Sequence, residues 1–167
     1  MKAFGINKDI NERKKQGEYD VESLGYNYRM TDFQAAMGYN QLKKYNENLK
    51  RRKEIAKNYI KLLKKNKKIF LPSFSKNDSY FVFQILLETK NYKSLLMKEF
   101  KRLGIGFSVH YGTPLPSMSY YKKKYKINKN KYINSVNYGL KNISLPIHPN
   151  LKLMQIKQIC QIIKHNI

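Results

Sequence analysis

A helical pattern of apolar residues runs over residues 31–63 and constrains the fold more than any other feature of the sequence. Thr31 and Gln34 match a capping box, in which two side chains satisfy the free backbone N–H groups at a helix start. Asp32 adds a negative charge at the positive end of the helix dipole. The pattern predicts one helix about 45 Å long, bent near residues 46–48. A helix of this length bridges two parts of a larger molecule or forms a dimer face.

After Pro72 the pattern changes to short alternating elements. Strands are predicted from three apolar runs, at residues 80–88, 105–111 and 143–146. Helices are predicted at residues 93–103, 132–140 and 150–165. Gly104 ends the first of these helices and Asn150 caps the last. The whole is an α/β chain, in which a long bridging helix precedes a small α+β domain with a three-stranded antiparallel sheet.

These elements predict two parts with a boundary after residue 70. Residues 1–70, an irregular lead-in followed by the long helix, end a large domain. Residues 71–167 form the small α+β domain. The hydrophobic content of 41% is high enough for the chain to fold despite a net charge of +23.

The charge is distributed unevenly along the chain. Residues 100–167 carry twelve Lys or Arg and no carboxylate, so this part is expected to attract anionic ligands. One alternative function is therefore a basic module that binds anions or nucleic acid on a remnant scaffold. Against it, the excess consists of lysine without the arginine-rich or aromatic patterns of nucleic-acid modules, so nucleic acid is not the expected partner.

The cysteine content and the first residues bear on location. Cys160 is a lone cysteine on an apolar helical stripe, which indicates a buried structural thiol and a reducing compartment. The start, MKAFGINKD, lacks the apolar run of a secretory signal, and no stretch is long enough to span a membrane. We expect a cytoplasmic protein without a membrane partner. His148 and His165 have no partners at metal-ligand spacing, so no metal site is predicted.

Three segments together resemble one enzyme family. They are GYNYRMTDFQAAMG continuing into RRKEIAKNY at residues 25–59, GIGFSVHY at 104–111, and ISLPIHPNL at 143–151. In this order and spacing they resemble the DegT/StrS-type sugar-nucleotide aminotransferases. The resemblance implies the aspartate-aminotransferase fold (fold type I), pyridoxal 5'-phosphate as cofactor and a homodimer. It also implies amino transfer from glutamate to a nucleoside-diphosphate keto-sugar, in polysaccharide, lipopolysaccharide or other surface-glycan biosynthesis.

The resemblance also assigns candidate site residues. The resemblance implies that Asn27 reaches across the dimer and donates to the cofactor phosphate. Arg29 is a second candidate cofactor-binding residue, because its forked guanidinium suits a phosphate or carboxylate. His110 and Tyr111 would border the sugar-nucleotide pocket. From the residues alone, other roles stay open: a turn-stabilising Asn27, a structural His110, and an ion pair of Arg29 with Asp20, Glu22 or Asp32.

The resemblance covers only the C-terminal portion of such an enzyme. Residues 2–6 (KAFGI) resemble the stretch just after the loop that carries the family's cofactor-binding Schiff-base lysine. None of the 29 lysines occupies that lysine's context, so no catalytic residue is assigned here. We expect the chain to be inactive alone and to need the missing region, either in the same chain or as a separate N-terminal partner.

Overall fold

The computed structural model of the protein describes residues 3–7 and 10–167. Its contacts divide the chain into two units, Met1–Tyr45 and Asn46–Ile167. The boundary predicted after residue 70 concerns the domains of a complete enzyme and stays a prediction. Of the residue 2–6 segment that entered the family resemblance, residue 2 lies outside the described residues.

The first unit consists of an irregular lead-in and one helix. Short 3-10 turns and an antiparallel bridge between Ile6 and Val21 organise the lead-in. Helix α1 spans Asp32–Lys43 and starts with the predicted capping box, which is confirmed. The Thr31 hydroxyl accepts from the Gln34 backbone N–H, while the Gln34 side chain accepts from the Thr31 N–H. No residue of α1 is buried.

Helix α2 spans Tyr45–Leu63, and all of it after Tyr45 belongs to the second unit. The single helix predicted over residues 31–63 is interrupted at Lys44, slightly before the predicted bend. The Lys44 N–H bonds to the carbonyl of Gln41, three residues back, which tightens the end of α1 into a 3-10 turn. In α2 the predicted apolar stripe is buried at Ile55, Ala56, Tyr59 and Leu63.

The sheet has three antiparallel strands in the order β1-β2-β3: Ile69–Phe70, Phe83–Leu87 and Asn142–Leu145. Ile69 pairs with Leu87, and Gln84 pairs with Ser144. The predicted strands at 80–88 and 143–146 are thus confirmed with shifted ends, and β1 replaces the third.

The strand predicted at residues 105–111 is wrong. Only Ser108 pairs there, through reciprocal backbone hydrogen bonds with Ser144. In that register Gly106 would face Pro146, which has no N–H to donate, so the ladder cannot extend in that direction. Toward the other end, the His110 carbonyl accepts from a side chain, that of Gln84, instead of from a strand.

Four further helices complete the second unit. They are α3, Lys90–Arg102; α4, Ser119–Tyr125; α5, Ile133–Lys141; and α6, Leu153–Asn166. The predicted stop of α3 at Gly104 is confirmed, since this glycine has φ +67° just after the C-cap Leu103. Asn150 does not cap α6. Lys152 holds that position, and its backbone N–H donates to the Gln155 side chain.

One apolar core lies between the sheet and helices α2, α3 and α6. Its largest fully buried side chains include Tyr59, Phe83, Phe100, Leu96 and Ile156. Cys160 is 2% exposed in this core, as predicted for a structural thiol, and burial raises its pKa to about 12. Within the described ranges, no helix is both long and apolar enough to cross a bilayer.

Candidate functional site

The GYNYR segment lies in the first unit, close before α1, and belongs to no helix or strand. Gly25 crosses the backbone of Gly5 so closely that a Cβ at Gly25 would lie 1.9 Å from the Gly5 nitrogen. Beyond this crossing, the rings of Tyr26 and Tyr28 stack at 5.2 Å. Asn27 lies between these tyrosines in the sequence; its side chain is exposed and donates to no residue that the structure describes.

Arg29, two residues further on, is exposed, and its guanidinium carbon lies 5.1 Å from the centre of the Phe4 ring. It forms no ion pair within the described part of the chain. Two of the acids considered as partners have other contacts. Asp20 accepts from the Val21 backbone, and Glu22 accepts from the Asn7 side chain. The guanidinium donors of Arg29 are therefore available for a phosphate or carboxylate.

His110 lies in the second unit beside the edge of β3. Its Nδ1 is 2.9 Å from the Ser144 hydroxyl oxygen and 3.3 Å from that of Ser108. The imidazole is half-buried, and its ring meets the exposed Tyr111 ring edge to face at 5.5 Å. The two residues predicted from the HY pair are thus in mutual contact.

Side chains of the sheet and of α5 hold the backbone of this pair. The Gln84 amide donates to the His110 carbonyl, and the Tyr138 hydroxyl donates to the Gln84 side-chain oxygen at 2.8 Å. Partial burial raises the pKa of Tyr138 above its ordinary value. The Asn142 amide donates to the Tyr111 carbonyl at 3.4 Å and to the Tyr138 carbonyl at 2.9 Å.

His110 also lines two open cavities. One, about 450 Å³, is formed with Tyr111, Pro114, Asn134, Ser135 and Tyr138. The other, about 520 Å³, includes Arg52, Ser108 and His148 in its wall. Neither wall contains a carboxylate, and the Nε of Arg52 is buried without a hydrogen-bond partner among the described residues. Both cavities therefore suit oxygen acceptors or anions better than cations.

Lys122, Lys123 and Lys124, which belong to the basic residues of the 100–167 segment, lie on α4 and line neither cavity. No group of three or more His, Cys, Asp or Glu side chains with the geometry of a metal site occurs within residues 3–7 and 10–167.

The sequence interpretation missed the polar side chains that support His110, namely Gln84, Asn142 and Ser144. Asn142 and Ser144 alternate with Ile143 and Leu145 along a strand that is buried at every position. Such alternation is typical of a strand with one face on the core and the other in solvent. Nothing in the sequence therefore indicated that the polar face of β3 is buried, because the residues that cover it are distant along the chain.

Comparisons with known proteins agree on one family. Residues 1–164 match the DegT/DnrJ/EryC1/StrS aminotransferase family model. A UDP-4-amino-4,6-dideoxy-N-acetyl-beta-L-altrosamine transaminase of Campylobacter jejuni is 36% identical over 154 residues, which are 87% of this chain and 39% of that protein. The chain thus spans about two fifths of that relative's length.

Solved structures give the same result. Helicobacter pylori PseC, an aminotransferase in pseudaminic acid biosynthesis, has a TM-score of 0.79 and 28% identity over 98% of this chain and 43% of its own. Spr1654 of Streptococcus pneumoniae, in its PMP form, has a TM-score of 0.81 and 26% identity over 98% of this chain and 42% of its own. The same protein is also known in a PLP form. The chain belongs to the DegT/DnrJ/EryC1/StrS family of pyridoxal-phosphate-dependent aminotransferases.

Proposed function

We propose that this chain is the C-terminal part of an aminotransferase that moves an amino group from glutamate to a nucleoside-diphosphate keto-sugar for surface-glycan synthesis. The observation that carries the proposal is the family match over residues 1–164, together with a relative named for a UDP-amino-sugar. A Bacillus subtilis relative, 29% identical, is named for spore coat polysaccharide biosynthesis. When bound, pyridoxal phosphate supplies the electron sink for amino transfer, and the protein supplies binding and orientation.

The first unit provides donors for the cofactor phosphate. Asn27 and Arg29 are exposed on one irregular segment, and neither donates to a carboxylate that the structure describes. An amide donor adds no charge, while a guanidinium adds a positive charge and a forked set of N–H groups. The residues therefore fit a phosphate, and in the complete dimer we assign them to the cofactor bound by the partner subunit.

The second unit provides the pocket for the sugar nucleotide. His110 and Tyr111 lie on the wall of a cavity that contains no carboxylate. A negatively charged diphosphate would therefore meet no negative side chain that repels it there. The twelve basic residues of 100–167 add a positive field. This field, which also suggested a general anion-binding module, is accounted for by an anionic nucleotide sugar.

The chain by itself is inactive under this proposal, because no lysine occupies the family's cofactor-lysine context. The remaining portion supplies that lysine, and amino transfer takes place in the cytoplasm, where nucleotide sugars are made. The acceptor sugar and the aminated carbon are not assigned.

A chimera tests the proposal. The region of the Campylobacter jejuni enzyme matched by this chain is replaced with this chain. Amino transfer is then measured in the reverse direction, from the UDP-amino-sugar of that enzyme to 2-oxoglutarate, which yields the keto-sugar and glutamate. We expect the chimera to bind the cofactor and to transfer the amino group, and the relative's remaining portion, tested alone as the control, to transfer none. A folded chimera that binds pyridoxal phosphate yet transfers no amino group to UDP- or GDP-linked sugars would contradict the proposal.

A further inference from the structure

The Ser144 hydroxyl is a buried group with one hydrogen-bonding partner. Ser144 is 2% exposed on β3, and its hydroxyl oxygen lies 2.9 Å from Nδ1 of His110. The backbone of Ser144 is fixed separately, by its bonds to Ser108. No other acceptor for this hydroxyl occurs in the part of the chain that the structure describes.

The position of the hydroxyl hydrogen follows from this burial. A hydroxyl shut away from water loses free energy unless its hydrogen reaches an acceptor. For Ser144 that acceptor is Nδ1 of His110, which must then carry a lone pair. Ser108 also lies near Nδ1, but it is exposed and can donate to solvent instead. The two serines are therefore not equivalent.

A neutral imidazole has one protonated and one unprotonated nitrogen. If Nδ1 accepts from Ser144, Nε2 carries the hydrogen. We propose that Ser144 is a positioning residue that fixes His110 as the Nε2–H tautomer, so that the imidazole offers a hydrogen-bond donor to its cavities. The Gln84 amide holds the His110 backbone through its carbonyl, and the imidazole contacts the Tyr111 ring.

The tautomer determines which ligand atoms His110 can bind. An Nε2–H group donates to an oxygen acceptor, such as a phosphate or hydroxyl oxygen of a nucleotide sugar, and cannot accept from a ligand N–H or O–H. This choice of ligand rests on the proposed function, whereas the tautomer itself does not. An experiment can therefore contradict the choice of ligand without contradicting the tautomer, and the reverse.

The experiment is a long-range ¹H–¹⁵N correlation spectrum of the imidazoles in the 167-residue chain, at about pH 8.5, where unperturbed imidazoles are neutral. The chain has three histidines, and the exposed His148 and His165 serve as internal references. We expect His110 to populate the Nε2–H tautomer more completely than either reference. An Nδ1–H tautomer, or the same mixture as in His148, would overturn the proposal without any variant.

Two variants then separate Ser144 from its neighbour. Ser144→Ala should return the His110 tautomer ratio to that of the exposed histidines, and Ser108→Ala should leave it unchanged. Equal effects of the two substitutions would contradict a specific role of Ser144. In the chimera, Ser144→Ala should raise KM for the nucleotide sugar about tenfold, with a smaller effect on kcat. If the tautomer shifts and KM does not, the substrate assignment fails while the positioning role stands.

Discussion

The two units of this chain are stabilised in different ways. In Asn46–Ile167, buried residues from three helices and the sheet form one core, and Tyr59, Phe83 and Phe100 are fully enclosed. In Met1–Tyr45, helix α1 buries no residue, and Phe33 is 73% exposed. The first unit depends on local devices, a capping box and a glycine crossing, whereas the second depends on packing.

This difference indicates where each kind of function resides. A segment held by local contacts can offer side chains such as Asn27 and Arg29 to another molecule or subunit. A packed unit can hold an imidazole in one orientation, as we propose for His110. The first unit also exposes large apolar side chains, which are typical of a surface that binds a partner.

The largest expected difference between the two units is in the free energy of unfolding lost when one phenylalanine in each unit is changed to alanine. Phe100→Ala removes a fully buried ring and should lower the free energy of unfolding by about 3–5 kcal/mol. Phe33→Ala, in α1, should change it by less than about 0.5 kcal/mol, because the ring is already in solvent. Urea unfolding followed by circular dichroism measures both. Similar costs for the two variants would remove the basis of the comparison.

The two glycines that bound the GYNYRMTDFQAAMG motif should respond in opposite directions. Gly25→Ala forces a Cβ against the Gly5 backbone and should destabilise the crossing by about 1–3 kcal/mol. Gly38→Ala places a methyl in open space within α1 and should stabilise the helix by about 0.5–1 kcal/mol. Amide hydrogen exchange of α1 and of the Ile6–Val21 bridge reads out each effect. Slower exchange in both variants would contradict the crossing.

Cys160 tests how well the core of the second unit excludes water. Its pKa rises from an ordinary 9.0 to about 12 in the folded chain. Between these values the unfolded thiol ionises and the folded one does not, so stability falls as pH rises above 9.0, by about 1.4 kcal/mol per pH unit. Cys160→Ala should lack this component, although burial of Tyr59 raises the pKa of that phenol in both proteins.

The measurement for Cys160 is urea unfolding of both proteins at pH 8, 9 and 10. The stability difference between them should shift by about 1.4 kcal/mol on approaching pH 10. A thiol reagent should also label the native chain no faster than the chain unfolds. Parallel pH profiles for the two proteins, or rapid labelling, would show that water reaches the thiol.

The smallest expected effect is the loss of helix stability when the capping threonine at the start of a helix is changed to alanine in each unit. Thr31 caps α1 and Thr89 caps α3, each accepting from a backbone N–H near the helix start. Each Thr→Ala change should cost about 1 kcal/mol of helix stability. Only α1 should then fray measurably by hydrogen exchange, because Leu96 and Phe100 hold α3 in the core. Equal fraying of both helices would contradict the division into local and packed units.

The sequence predicted what local chemistry determines. The Thr31–Gln34 capping box, the buried face of α2 and the stop at Gly104 all depend on residues within a few positions of each other, and all three are confirmed. The strands β2 and β3 also followed from short apolar runs. The residues that form each of these features lie close together in the sequence, so the features can be predicted without knowing which distant residues they contact.

The parts that were missed depend on distant partners. Strand β1 has only two residues and is defined by its pairing with β2. Residues 105–111 have the composition of a strand, but in the register set by Ser108 and Ser144 they would pair with Pro146, which has no N–H. Arg51 donates to the carbonyls of Pro149 and Leu151, about a hundred positions away. The contact between Ser144 and His110 spans 34 positions. No local pattern specifies such pairs.

The central claim is that Asn27 binds a cofactor phosphate, and the affinity of the chimera for pyridoxal phosphate tests it most directly. Asn27→Ala is compared with Asn40→Ala, a matched exposed asparagine whose amide bonds within α1 to the Ala36 carbonyl. Loss of one hydrogen bond to a charged group corresponds to about a tenfold or greater rise in Kd. We predict that rise for Asn27→Ala and less than about a twofold change for Asn40→Ala. Equal affinities for the two variants would contradict the account.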